Sequence, residues 1–366
     1  MNSIRFYLTA ALFLTLMLFG CQKPEEQQGD QNQLPETPTI SQFPAHGAIV
    51  LNEGGWGNNE AELSVIDYSD MTVSNSFFSK KNGRGLGDVA QDVVVYGNKV
   101  YVAVWGSNSV EAIDRITGRS TRIDMDNRGP RYIACEGGKV YVTCYTPASV
   151  VRIDTASLQI DATCLLSGAQ PEGLCIVGGT IYVVNSWKKD SAGNPIYDST
   201  LSVVDKNSFS ETQKVTIGLN PQKVKVVDNS YIVVSYSGNY GDQPGGLAIL
   251  NLGDMSINRI SGNISNIDTY NGKIYYYAHN NGQAWDGRIN IVDGQTLQES
   301  SITVSETSSY SAQYYPYAIN VNPTSGEIYV AGAQYGANGD VYCFSQAGSL
   351  KWKAEVGPLP SKIVEL

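Results

Sequence analysis

The chain has 366 residues, 37 of them Gly and 23 Tyr, and only 16% are charged. Its formal charge of −10 excludes the clustered Lys/Arg footprint that neutralises nucleic-acid phosphates, so no nucleic-acid partner is expected. The composition is that of an all-β protein, and a repeat that continues almost to the last residue argues for one large folded unit rather than the two that length alone would suggest.

Residues 1–20 carry one basic residue, Arg5, followed by an apolar run from Phe6 to Phe19. This is the pattern of a signal peptide, because about 14 apolar residues are too few to cross a bilayer core of roughly 30 Å. Leu18-Phe19-Gly20-Cys21 is similar to the bacterial lipobox, which implies a lipid-modified (palmitate-bearing) Cys21 at the mature N-terminus. Residues 21–44 are rich in Gln, Glu, Pro and Asp and cannot build a core, so they are expected to form a solvated tether. Within it Lys23-Pro24-Glu25-Glu26 resembles the acidic export signal that sends lipoproteins of Bacteroides-type bacteria to the outer cell surface.

Residues 45–366 are organised around a recurring hairpin. Tyr96-Gly97-Asn98-Lys99-Val100-Tyr101-Val102, Glu136-Gly137-Gly138-Lys139-Val140-Tyr141-Val142, Val177-Gly178-Gly179-Thr180-Ile181-Tyr182-Val183 and related stretches near Asn229, Gly272 and Gly326 each join a tight turn to an alternating strand. Gly and Asn supply the positive φ of two-residue hairpin turns, and Val, Ile and Tyr suit a pleated, half-buried strand. Copies recur every 40 to 55 residues or so, which is propeller-blade spacing. Six complete four-stranded repeats are predicted at 88–127, 128–167, 168–217, 218–261, 262–307 and 308–357, each with a third strand ending near an Asp.

The first blade is split. His46 to Leu51, Leu63 to Asp67 and Val73 to Phe78 match second, third and fourth strands, and the missing inner strand is supplied by Pro360 to Leu366. The expected fold is therefore a seven-bladed β-propeller closed by a C-terminal strand that completes the N-terminal blade and leaves no unpaired edge.

Loops joining second and third strands lie on the face where the chain passes from one blade to the next. The long ones are predicted here: Asn52 to Ala61, Ser186 to Thr200, Tyr236 to Gly246, Ala278 to Gly287 and Ala331 to Gly339. Long loops on one face of a rigid scaffold are where binding is expected. They and their neighbours carry Trp56, Trp105, Tyr145, Trp187, Tyr197, Tyr236, Tyr240, Trp285 and Tyr335, none in phase with the repeat. The segments leading into inner strands add Arg131, Tyr132, Gln170, Glu172, Gln222, Lys223, Tyr310, Tyr314, Tyr315 and Tyr317. Together they predict a concave ring for a large, partly apolar, hydrogen-bonding ligand. Tyr101, Tyr141, Tyr182, Tyr231, Tyr275 and Tyr329, by contrast, repeat within second strands and are assigned to packing between blades.

Catalytic and metal chemistry have little material. His46 and His279 are the only histidines, and Cys135, Cys144, Cys164, Cys175 and Cys343 sit at strand positions without a Cys-x-x-Cys spacing, so buried free thiols are favoured over disulfides or a metal. Asp92 and Glu172 can be chosen as paired carboxylates, a weak signal in any ring of blades. No phosphate-binding glycine loop and no Gly-x-Ser-x-Gly elbow occurs. The reading is of a binding protein rather than an enzyme, with no catalytic cofactor.

With the lipobox, the acidic run, Asn52-Glu53-Gly54-Gly55-Trp56-Gly57-Asn58-Asn59 and the Gly-Lys-Val-Tyr-Val hairpins in view, residues 45–366 resemble the YncE-like seven-bladed surface lipoproteins of Bacteroides-type bacteria. Within these they look most like the corrinoid-capturing BtuG group. The resemblance implies capture of cobalamin (vitamin B12) and related corrinoids at the outer membrane, and delivery to a TonB-dependent transporter. The ligand-site residues expected from the loop argument are Trp56, Trp105, Arg131, Tyr132, Tyr145, Glu172, Trp187, Lys223, Tyr236, Tyr240, Trp285, Tyr315, Tyr317 and Tyr335. Two other readings stand beside it: a glycan- or protein-binding adhesion propeller, and a lactonase- or lyase-type propeller with an acid/base set or metal in its channel.

Overall fold

The computed structural model describes residues 42–278, 284–305 and 314–366. The signal segment, Cys21, the tether up to residue 41, His279 and Tyr310 lie outside the described residues. The described residues form seven four-stranded antiparallel sheets. Their inner strands are Pro360–Glu365 (blade 1), Ala90–Tyr96 (blade 2), Pro130–Glu136 (blade 3), Gln170–Val177 (blade 4), Pro221–Val226 (blade 5), Ile264–Tyr270 (blade 6) and Tyr315–Val321 (blade 7). Each inner strand contacts the inner strands of both neighbouring blades, and the seventh returns to the first, so the sheets close into a ring.

The strand sequences explain why blades, rather than a flat sheet, form. In the blade 2 second strand, Lys99–Val104, Val100, Val102 and Val104 pack toward blade 1 while Tyr101 and Ala103 pack toward blade 3. Side chains alternate across a strand, so a continuous apolar run buries both faces. The same division gives seven hydrophobic clusters, one at each blade boundary. The repeated second-strand tyrosines belong to these boundaries: Tyr101, Tyr141, Tyr182, Tyr275 and Tyr329 are buried, and Tyr231 is half-buried against its cluster.

Ring closure is as expected. Pro360–Glu365 pairs antiparallel with Gly47–Asn52, setting Val364 opposite Ile49 and Ile363 opposite Val50. Third strands end at an Asp in five blades (Asp67, Asp114, Asp154, Asp205 and Asp293) but at Asn251 in blade 5 and Phe344 in blade 7, and the Asp has a physical role. Asp114 Oδ1 accepts the backbone N–H groups of Ile116 and Thr117, Asp154 those of Ala156 and Ser157, and Asp293 those of Gln295 and Thr296. These bonds fix the outer turn and hold Asp114 and Asp293 below the usual carboxylate range; Asp154 is lowered first by the Lys139 ammonium and then by its turn bonds.

Two expectations are corrected. The fourth strand predicted from Val73 to Phe78 is only Val73–Ser74, followed by a short helix, Phe77–Asn82. The Glu62 carboxylate accepts the N–H groups of Phe78 and Ser79, and the helix buries Phe77 and Phe78 in the boundary between blades 1 and 2. Ser186 to Thr200 is mostly not a loop. The blade 4 strands Thr180–Lys189 and Pro195–Asp205 continue past the sheet as a hairpin, with Trp187 opposite Tyr197 and Asp190 capping the turn.

Candidate functional site

All seven inner-strand pairings slip register at the same place, where the strand begins: between Ala90 and Asp92, Pro130 and Ile133, Pro171 and Leu174, Pro221 and Lys223, Ile264 and Asn266, Pro316 and Ala318, and opposite Leu51/Asn52. A bulge gives a strand an extra, unpaired residue and re-aims its side chains. Here consecutive residues rather than alternate ones face the channel: Gln91 with Asp92, Arg131 with Tyr132, Gln222 with Lys223, Ser361 with Lys362. Five of the seven slips begin at a proline (Pro130, Pro171, Pro221, Pro316 and Pro360), a residue that lacks the N–H a regular ladder would require. The bulges thus concentrate polar side chains in one layer around a central cavity of about 680 Å³.

On the blade 1 to 4 side of this layer, aromatic rings are stacked on a buried ion pair. Arg131 grips Glu172 with two hydrogen bonds, Nε to Oε2 at 3.0 Å and Nη2 to Oε1 at 3.1 Å, and Tyr145 donates its phenol to the same Oε1. The guanidinium lies 5.1 Å from the Trp105 ring centroid and 4.8 Å from that of Tyr145, and Trp56 packs on Trp105 at 4.7 Å. Burial alone would lower the Arg131 pKa, but the Glu172 carboxylate holds it raised. Burial and the same carboxylate raise Tyr145. Trp56, at the outer end, is 64% exposed, which leaves an aromatic shelf available to a ligand.

The motif Asn52 to Asn59 builds the shelf's outer edge. Asn52 donates to Ser64 in the core, Gly54 and Gly57 adopt positive φ, and the Gly57 N–H is held by Asp88. A Cβ on Gly54 would fall 2.7 Å from the Ala61 nitrogen. The turn lifts Trp56 onto Trp105 and sends Glu53 into the channel, where its Oε2 accepts from the Tyr317 phenol at 2.7 Å. Burial raises the pKa of Glu53. Deeper, Lys362 pairs with Asp92 at 2.6 Å and Lys225 with Asp268 at 2.9 Å. The second oxygen of each carboxylate accepts a neighbouring inner-strand N–H: Ile133 for Asp92 and Val321 for Asp268.

The structure therefore brings Trp56, Trp105, Arg131, Tyr132, Tyr145 and Glu172 into one cluster, with Lys223 and Tyr317 on the same cavity wall and Tyr315 edge-on to Tyr317. Trp187 stands on the projecting hairpin, and Tyr240 and Tyr335 are exposed, Tyr240 edge-on to Tyr197. Two expected loop aromatics are core residues instead. Tyr236 ends the second strand of blade 5, with its ring over Gly218 and Gly246, which leave room only for hydrogen. Trp285 folds back edge-on against Tyr277 and donates its indole N–H to the Arg288 carbonyl. The aromatic fringe is an arc and not a full ring.

Glu53, Lys225, Asn266, Asp268 and Lys362 are site residues the loop argument did not select. A signal exists for some of them: in Pro221-Gln222-Lys223-Val224-Lys225-Val226 the lysines alternate with valines, which places both on one strand face. The five cysteines among the described residues are free thiols. Burial pushes Cys144 and Cys175 up to about 12, far from reactive thiolates.

Fold and site define the class: a seven-bladed β-propeller with a polar, charge-lined central cavity and an aromatic arc at its mouth. Residues 46–207, from blade 1 through the third strand of blade 4, match the family model described as Domain of unknown function (DUF5074). No curated protein matches the chain. Solved structures with the same architecture include a hypothetical selenium-binding protein from Sulfolobus tokodaii (TM-score 0.62, 10% identity, covering 87% of this chain and 93% of that one). Others are a candidate 6-phosphogluconolactonase from Bacteroides uniformis (0.61, 14%, 88% and 99%) and a streptogramin B lyase (0.55, 12%, 75% and 84%). At these identities the likeness concerns the fold.

Proposed function

We propose that this chain is a binding propeller that captures a broad, flat-faced, amide-fringed ligand of the corrinoid class at the channel mouth. In this reading it acts as a surface lipoprotein anchored through Cys21 and hands its ligand to a TonB-dependent outer-membrane transporter. The observation that carries the reading is the shelf of Trp56, Trp105 and Tyr145 resting on the Arg131–Glu172 pair. Aromatic faces take the disc of such a ligand, and an unpaired buried amide would cost about 1 to 3 kcal/mol, so polar groups such as Gln91, Tyr132 and Gln222 beside the shelf are what its rim requires. A shelf fixed by an ion pair also has little ordering left to lose on binding.

Calorimetric titration of the purified protein with cyanocobalamin tests this. One-to-one binding that weakens in Trp56→Ala and Trp105→Ala supports it; absence of heat, with no coloured ligand retained by the immobilised protein, sinks it. A lyase or lactonase reading is favoured by a different observation, namely Glu53 with a raised pKa and Lys223 pushed down to about 8 on one cavity wall. Turnover of a lactone panel that disappears in Glu53→Gln would select it.

A further inference from the structure

The charges on the cavity wall do not pair off evenly. Arg131 holds Glu172, Lys362 holds Asp92 and Lys225 holds Asp268. Among the described residues, Lys223 is the one cation of this wall with no carboxylate within salt-bridge distance. Its ammonium donates to the Asn266 amide oxygen at 2.9 Å. Asn266 is buried, and its remaining bonds are to the backbone: Oδ1 accepts from the Ile267 N–H at 3.0 Å, and Nδ2 donates to the Tyr317 carbonyl at 3.2 Å. Asn266 therefore positions the ammonium without neutralising it.

An ammonium has three donors, and one is used here. Lys223 is half-buried at the cavity wall; Lys225 and Lys362 stand near enough for their charges to oppose its own, while Asp92 and Asp268, each engaged with one of those lysines, act on it only from a distance. Of the other carboxylates of the wall, Glu53 is directed to the Tyr317 phenol and Glu136 pairs with Lys206. The Lys223 ammonium thus presents spare N–H donors with no carboxylate of its own, inside a cavity large enough for a small molecule or a ligand's side arm.

We propose that the central cavity is an oxyanion site in which the Lys223 ammonium binds a carboxylate or phosphate group, beneath the aromatic shelf. The proposal does not require the ligand at the mouth to be a corrinoid. Its test is titration of the purified protein at pH 7 and low ionic strength with succinate and, separately, with inorganic phosphate, sodium chloride serving as the control. At least one of the two is expected to bind with unit stoichiometry, and the responsive arm identifies the group. Lys223→Met should weaken that binding about tenfold or more, Asn266→Asp should do the same by giving the ammonium an internal carboxylate, and Asp114→Ala, at an outer turn away from the cavity, should leave it unchanged.

Absence of binding by both anions overturns the proposal, as does Lys223→Met protein with a native circular dichroism spectrum and unchanged affinity. If Lys223→Met fails to fold, Asn266→Asp decides on the same criterion. Cyanocobalamin binding without anion binding would sink only this inference, and anion binding without cyanocobalamin binding would sink only the reading of the mouth.

Discussion

On the blade 2 to 4 side of the channel mouth, Arg131 and Glu172 satisfy each other and carry a stack of rings, whereas Lys223 of blade 5 is held only by an amide of blade 6, and Glu53 of the blade 1 loop only by a phenol of blade 7. The same bulged strand opening brings in Arg131, Glu172 and Lys223, whereas Glu53 enters from the turn after Asn52. What differs is the residue met on the neighbouring blade: Glu172 faces Arg131 and Asp268 faces Lys225, but Lys223 meets the neutral Asn266. The contrast teaches that the first arc is a fixed platform and the second keeps unspent electrostatic capacity.

The sharpest way to break the contrast is Glu172→Ala. It strands the Arg131 guanidinium and removes the acceptor of Tyr145, and leaving a buried charge unpaired typically costs about 3 to 5 kcal/mol. A large fall in the denaturation midpoint is expected, together with loss of mouth binding. Trp105→Ala should come next, because it deletes the ring between Trp56 and Tyr145 and one cation–π contact, each contact worth about 0.5 to 1.5 kcal/mol. Ligand affinity should drop while the far-ultraviolet spectrum stays native.

The other arc should respond with the opposite sign. Burial first, then Lys225, pushes the Lys223 pKa down to about 8, below the value near 10.4 of an unfolded lysine. Between these values the unfolded chain binds more protons than the native one, so this residue's destabilisation is fully present below about pH 8 and is relieved as pH rises toward the ordinary lysine range. Lys223→Met should therefore raise the thermal midpoint at pH 7, with a gain that shrinks by pH 10. The smallest effect belongs to the outer turns, far from both arcs. Asp114, Asp154 and Asp293 have depressed pKa values, so their contribution is present above the ordinary carboxylate range and lost as pH falls through their folded values. Asp114→Ala should lower the midpoint slightly at pH 7 and hardly at all in strong acid, which a pH series of melts would show.

Much of the scaffold is legible in the residues themselves. Glycine-asparagine turns, double-faced apolar strands and an Asp at most outer turns specify blades, and the match between Pro360 to Leu366 and the other inner strands specifies closure. The site is less legible, for reasons that are spatial. Glu53 meets Tyr317 across 264 positions of chain, and no local pattern announces that meeting. Trp285 and Tyr236 look like loop aromatics by sequence neighbourhood, yet one folds back on Tyr277 and the other fills space left by glycines of adjoining segments. The helix at Phe77 depends on a carboxylate 16 positions away, Glu62, that supplies its first acceptor.

The seam between Leu51 and Ser361, 310 positions apart, has a bearing on how the molecule is made. Six blades can assemble as they emerge from the ribosome or the export channel, but the first must wait, with an open edge, until the final strand arrives. Such a distant pairing is slow to form, and an exposed edge in the interval invites pairing with another chain. Newly synthesised copies should therefore be the aggregation-prone form, and removal of Pro360 to Leu366 should make that form permanent.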